Sequence, residues 1–264
     1  FSFQIAEWSK FFLMIYLCGY LSKYQEELGK DHKRFLVPLV FILILAMLLI
    51  LQPDLGSAVV ILSAVLCLMF VVGIKLRFFF GAFVFFLLGL VLLIFSEPYR
   101  LQRVTAFFDP WSDQYNSGYQ LTQALIAFGR GEWFGLGLGG SIQKLFYLPE
   151  AHNDFILAVI AEELGIVGAI FLIFFLAIFV FKIFQVAQKC VGERLIFPGL
   201  SCYFIACIFS IQTLINVAVS TGMLPTKGLT LPFISYGGNS IVVSLLFVGI
   251  VMRSLKELAQ KYEI

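Results

Sequence analysis

Charge is scarce in this chain: of 264 residues only 13% are Asp, Glu, Lys or Arg, with two histidines and a formal net charge of +2. A balance so close to neutral excludes the basic surface that a nucleic-acid partner requires. No polar stretch is long enough to make a separate soluble domain of ordinary size. The five cysteines (Cys18, Cys67, Cys190, Cys202 and Cys207) are odd in number and lack ligand spacing. They read as small buried hydrophobes rather than a disulfide or metal framework. The opening residues Phe1-Ser2-Phe3-Gln4 contain neither an initiator methionine nor a basic-then-apolar signal pattern, so a fragment or processed product is expected, with preceding spans missing.

What is abundant is apolar surface. Hydrophobic residues make up 61% and aromatics 17%, and the mean hydropathy is +0.97, far outside the range of soluble globular domains. The expected class is an all-α polytopic membrane protein, because a chain in lipid must satisfy its backbone groups internally. Apolar runs fall at about 8–22, 35–51, 56–73, 78–95, 154–181, 195–219 and 240–252, which predicts about seven transmembrane helices of roughly 20 residues each. The shorter runs are completed by tilt and flanking aromatics. The whole of 1–264 reads as a single transmembrane domain.

Four connections, around Lys23 to Arg34, Lys75 and Arg77, Lys182 to Arg194, and Arg253 to Lys261, hold twelve of the 18 basic residues. The positive-inside rule makes them cytoplasmic and starts Phe1 outside. The two long connections, 96–153 and 220–239, then face outward, and loops of that length in a compact protein are usually functional. The second, with Gly222, Pro225, Gly228, Pro232, Gly237 and Gly238, has a re-entrant signature: non-helical backbone at membrane depth survives where it is buried in protein or lines a watery cavity.

Within the first loop, the stretch from Tyr119 to Phe128 places apolar residues at helical spacing and is expected to lie along the membrane interface or to pack on the bundle. The glycine-dense run from Gly129 to Gly140 satisfies a dinucleotide fingerprint formally, but no strand, helix and acidic residue of a βαβ unit accompany it. Close backbone approach is the better reading. Ser141-Ile142-Gln143-Lys144 fits a Ser-x-x-Lys pattern without the companion motifs of that enzyme class. Glu162 and Glu163 lie inside an apolar run, where an unsatisfied carboxylate costs roughly 2.5–3.5 kcal/mol. They stand too far round and along the helix from Asp154 to form a catalytic carboxylate pair with it, and read as hydrogen-bonded structural groups. Asp154 itself, in Leu148-Pro149-Glu150-Ala151-His152-Asn153-Asp154-Phe155, sits where a polar loop runs into an apolar helix. A substrate can reach a carboxylate there.

Gln52-Pro53-Asp54-Leu55-Gly56, the 148–155 stretch with Glu162-Glu163-Leu164-Gly165, and Leu231-Pro232-Phe233-Ile234-Ser235-Tyr236-Gly237-Gly238 together resemble the SEDS proteins of bacteria, most closely the cell-division branch. Family members carry about three more N-terminal spans. Gln4-Ile5-Ala6-Glu7 stands where the family has Gln-Pro-Ser-Glu, Asn153 replaces a common Thr, and Asn239 a common Ser.

The resemblance implies a peptidoglycan glycosyltransferase that polymerises lipid II at the division septum, on the outer face of the bacterial inner membrane. Asp154 would be the general base that takes the acceptor hydroxyl's proton. Arg100, Arg103, Lys144 and Lys10 would offset pyrophosphate charge, and Glu7, His152 and Ser235 would complete the substrate-binding set. A divalent cation (Mg or Mn) could share the task, although no ligand cluster marks its place. The implied partners are lipid II, a class B penicillin-binding protein, other divisome proteins and membrane lipid. A lipid II flippase and a non-catalytic divisome scaffold are the alternatives. A flippase needs a polar path to the cytoplasmic side, and the inner halves of the spans are almost wholly apolar.

Overall fold

The computed structural model describes residues 4–25, 32–52, 54–73, 76–95, 98–225 and 228–262. Among them the chain forms α1 (Ile5–Lys23), α2 (His32–Leu51), α3 (Leu55–Val71), α4 (Leu76–Phe95), α5 (Pro98–Phe108), α6 (Tyr119–Gly131), a π-helical turn (Gln143–Tyr147), α7 (Ile156–Gly192), α8 (Ile196–Ser220) and α9 (Gly238–Tyr262). Each expected apolar run lies in a helix, and no strand occurs among the described residues. The fold is an all-α membrane protein. α7 and α8 are each long and apolar enough to cross a bilayer, with mean hydropathies of 3.0 and 1.9. α7 and α9 run past the apolar limits read from the sequence, into Lys182 to Gly192 and Arg253 to Tyr262. Hydropathy falls there, but the helical hydrogen bonds continue.

The residues group into two compact units. One comprises 1–86, 178–211 and 238–264; the other comprises 87–177 and 212–237. In the first, Leu13, Met14, Leu17, Cys18 and Leu21 of α1 are buried, as are Ile61, Ala64 and Leu68 of α3. Aromatic rings link Phe11 to Phe247 (6.2 Å), Phe247 to Phe209 (5.9 Å) and Phe209 to Phe179 (6.0 Å). All five cysteines are free thiols, and four of them are buried. Asp54 caps α3, its carboxylate accepting from the Ser57 N–H at 3.0 Å. Pro53 lies outside the described residues.

The second unit is organised by a break. At Gly165 the backbone of α7 leaves the helical region (φ 75°, ψ 178°), which deprives the Glu162 and Glu163 carbonyls and the Ile166 and Val167 N–H groups of their helical partners. The glycine-rich loop replaces all four. Leu136 and Gly137 donate to the carbonyls of Glu162 and Glu163 (3.0 Å each), while Ile166 and Val167 donate to those of Glu132 (2.9 Å) and Trp133 (3.3 Å). A buried backbone group without a partner is costly, so helix break and loop require each other. The approach is too close for side chains: a Cβ on Gly135 would lie 2.1 Å from the Glu163 carbonyl oxygen, and one on Gly165 would lie 2.2 Å from that of Trp133. α6 buries Leu121, Thr122, Ala124 and Ala127. Ala124 and Ala127 join a core with Leu148, Ala151, Phe155, Ala158 and Val219, so α6 packs on the unit.

Gly135→Ala combines that clash with a left-handed backbone (φ 78°) and is expected to cost more than the roughly 1–3 kcal/mol of a strained conformer alone. Gly129→Ala, inside α6 with nothing within 4 Å of its Cβ position, should be neutral or stabilising by up to about 1 kcal/mol. Thermal unfolding in detergent tests both, and equal midpoints would overturn the splice. Asp54→Ala should lower stability by about 0.5–2 kcal/mol and reduce folded yield more than specific activity. Lost turnover with normal yield would instead place Asp54 in the site.

Candidate active site

The 148–155 loop alternates between anchors and polar groups. Leu148, Ala151 and Phe155 are buried in the core, which turns His152 outward and leaves Asn153 and Asp154 half-buried. Glu150 adopts a left-handed conformation (φ 53°), and its carbonyl accepts from the N–H groups of Asn153 and Asp154 at 3.0 Å each. The Glu150 side chain accepts from the Asn153 amide. The loop is thus wound tightly ahead of α7.

Three consecutive carbonyls of this loop are then pinned from outside. That of His152 accepts from the Tyr236 N–H at 2.9 Å, that of Asn153 from the Ser235 hydroxyl at 2.5 Å, and that of Asp154 from the Asn216 amide at 3.0 Å. Asn216 is buried in α8 and spends its second amide proton on the Leu229 carbonyl at 2.7 Å. Ser235 also accepts from the Leu231 N–H at 2.7 Å. The Gly/Pro-rich stretch, described from 228 to 237 and without helix or strand there, therefore forms one wall of the site. The rings of His152 and Tyr236 meet edge to face at 5.9 Å. Gly228 faces the Asp154 carboxylate, where a Cβ would stand 2.8 Å from Oδ2. Thr226 and Lys227 lie outside the described residues.

The other expected site residues have varied placements. Ser235 is buried and uses its hydroxyl to hold the loop. Lys144 is partly exposed and ion-paired with Glu163 at 2.5 Å. Fully buried Glu162 accepts from the Ser141 hydroxyl (2.5 Å) and the Gln143 N–H (3.2 Å), and lies 3.3 Å from the Arg130 guanidinium. Both glutamates thus have hydrogen-bond or ion-pair partners within the unit, Glu162 in the loop and on α6, Glu163 at Lys144. Ser141 is committed to Glu162, which leaves the Ser-x-x-Lys resemblance without a nucleophile. Arg100 and Arg103 lie on α5, and their side chains are outside those described. Glu7 and Lys10 belong to the other unit, where they form a buried ion pair at 2.6 Å one turn apart on α1. Near them, Trp8 donates to the Asn239 side chain at 3.2 Å. Among the described residues no three His, Cys, Asp or Glu side chains gather to hold a metal. Asn216 was missed by sequence reasoning. Its signal was a carboxamide inside an apolar span, a residue type that lipid disfavours unless it is bonded.

The sequence model of a family described as "Cell cycle protein", FtsW/RodA/SpoVE, matches residues 1–260. Among curated relatives, the chain is 47% identical over 252 residues to a "Probable peptidoglycan glycosyltransferase FtsW" of Coxiella burnetii, covering 96% of this chain and 68% of the relative. It is 48% identical to the protein of that name from Halomonas elongata, covering 95% and 63%, and 46% identical to that of Legionella pneumophila, covering 95% and 64%. The chain thus spans about two thirds of the length of these relatives. Among solved structures it is similar to a chain of a peptidoglycan synthase complex studied for its coordination of polymerization and crosslinking (TM-score 0.76, 27% identity, 98% of this chain and 72% of that one). It is also similar to the rod shape determining protein RodA of Thermus thermophilus (TM-score 0.63, 28% identity, 95% and 64%).

Replacing Asn216 by Ala removes the donor to two carbonyls at once, and is expected to lower stability by about 1–3 kcal/mol. Asn216→Asp should not rescue it, because an ionised carboxylate donates no hydrogen bond. The unfolding midpoint of the purified variants is the readout, and an unchanged midpoint in both would show that the clamp does not hold the loop.

Proposed function

Because the chain belongs to the FtsW/RodA/SpoVE family of cell cycle proteins, we propose that it is the membrane core of a peptidoglycan glycosyltransferase that polymerises lipid II, with Asp154 as general base. The observation that carries this reading is the triple clamp on the carbonyls of His152, Asn153 and Asp154. It fixes the backbone beneath one half-buried carboxylate, and bare Gly228 faces that carboxylate. Pinning three successive carbonyls gives a base the fixed position that proton transfer requires.

The acceptor's sugar hydroxyl attacks the anomeric carbon of the donor. Its proton passes to an Asp154 carboxylate oxygen while the bond between that carbon and the pyrophosphate oxygen breaks, and the electron pair leaves with the lipid pyrophosphate. That leaving group is already a stable anion, so one base suffices and no paired acid is needed. Arg100 and Arg103 are the cations assigned to the pyrophosphate, with Arg favoured for its bidentate fork. Lys144 serves with Glu163 as its counter-ion. Exposed His152 contacts the substrate, whereas Ser235 positions the loop. The protein works in the bacterial inner membrane at the septum, with this site on the outer face, alongside a class B penicillin-binding protein and other divisome proteins. The likeness to a chain of a peptidoglycan synthase complex supports the synthase partner.

Asp154→Asn keeps size and hydrogen-bonding oxygen but cannot accept the proton. In the full-length protein with its partner, strand synthesis from lipid II is expected to fall by roughly 10²–10⁴-fold, as for loss of a general base, while the unfolding midpoint and partner binding stay unchanged. Polymerisation at close to the normal rate by the folded variant would remove Asp154 from this role.

A further inference from the structure

α8 carries three side-chain oxygens, those of Thr213, Asn216 and Ser220, that are buried and meet no hydrogen-bond partner among the described residues. At about 100° and 1.5 Å per residue, these positions fall within about 60° of one another and span about 10.5 Å of helix. They form one stripe. Its flanks are apolar: Ile215 and Val219 pack with Leu148, Ala151 and Phe155, while Val217 packs with Leu157 and Ala161.

A hydroxyl inside a helix can turn back onto its own backbone. Ser210 and Thr221 of α8 do so, donating to the Ala206 and Val217 carbonyls at 2.8 Å each. Thr213 and Ser220 do not, so each keeps a proton to give and lone pairs to receive. Asn216 spends both amide protons on the Asp154 and Leu229 carbonyls, and its oxygen can only accept. Buried polar groups without partners are costly, and water that bonds two to four of them is the usual remedy. Water both gives and receives, as this mixture of groups requires. One hard cation draws its oxygen ligands to about 2.3–2.6 Å and cannot engage both ends of a row this long.

We propose that this stripe binds a row of ordered water molecules, anchored by the hydroxyls of Thr213 and Ser220, with one water donating to the Asn216 oxygen between them. Asn216 in turn holds the Asp154 carbonyl at 3.0 Å. Thr213 and Ser220 are thereby positioning residues for the base, acting through water and Asn216. That positioning step rests on the polymerase reading; the water site does not.

The test separates hydroxyl from shape. Thr213→Val keeps the size and removes the hydroxyl, Thr213→Ser keeps the hydroxyl and removes a methyl, and Ser220→Ala removes the other hydroxyl. In full-length protein in detergent, Thr213→Val and Ser220→Ala should each lower the unfolding midpoint, because the water loses an anchor; a hydroxyl buried without water would make both variants more stable. Midpoints in sodium, potassium and choline chloride at equal ionic strength should agree. In strand synthesis from lipid II with the partner present, each of the two variants should lower kcat about fivefold, as for one lost hydrogen bond, at unchanged KM. Thr213→Ser should lower it less than Thr213→Val. Midpoints at or above the parent's in both hydroxyl-free variants, or a midpoint raised by one alkali cation, would overturn the water site. Lowered midpoints with parental kcat, or Thr213→Ser as slow as Thr213→Val, would overturn the positioning role and leave the polymerase standing. A parent that makes no strands would sink the polymerase reading, and the midpoints would then decide the water site alone.

Discussion

Four backbone groups at the Gly165 break of α7 lose their helical partners, and much of the second unit follows from how they find others. An unpaired N–H or C=O in an apolar setting costs several kcal/mol. The break persists because the 132–137 backbone supplies all four partners. That backbone comes close enough only where side chains are missing, as at Gly135 and Gly165. Glu162, three residues before the break, reaches from the same turn to Ser141 and Gln143 and so ties down the chain that leads into Leu148. The path from helix break to Asp154 is continuous.

The active loop repeats this logic with side-chain donors. Its peptide carbonyls would point into a polar space with nothing to fix them, and Tyr236, Ser235 and Asn216 occupy them in turn. Two of these donors lie in the Gly/Pro-rich stretch and one in α8. The backbone that carries the Asp154 carboxylate is thereby held at three successive carbonyls. The same clamp engages the buried Ser235 hydroxyl with the loop.

The charges of the protein are mostly answered within it. Lys10 faces Glu7, Lys144 faces Glu163, and Arg130 faces Glu162. A buried pair such as Glu7 and Lys10 contributes little net stability, but losing either member leaves an uncompensated charge.

Much of this was legible in the amino-acid order alone. Long apolar runs predicted the seven helices that contain them, because hydropathy over about 20 residues is a local property. The density of glycine from Gly129 to Gly140 announced a close backbone approach, and Asp154 stood at the join of a polar loop and an apolar run. Only the tertiary structure decided which groups those elements meet. Asn216 lies 62 residues from Asp154 along the chain and Ser235 lies 82 from Asn153. The pairing of Lys144 with Glu163 spans 19 residues. The α7 break was equally hidden, since Gly165 alone reads as an ordinary helical glycine until another backbone fills the gap. Periodicity and capping depend on neighbours in sequence, whereas a hydrogen bond across tens of residues depends on where packing brings two otherwise unrelated segments.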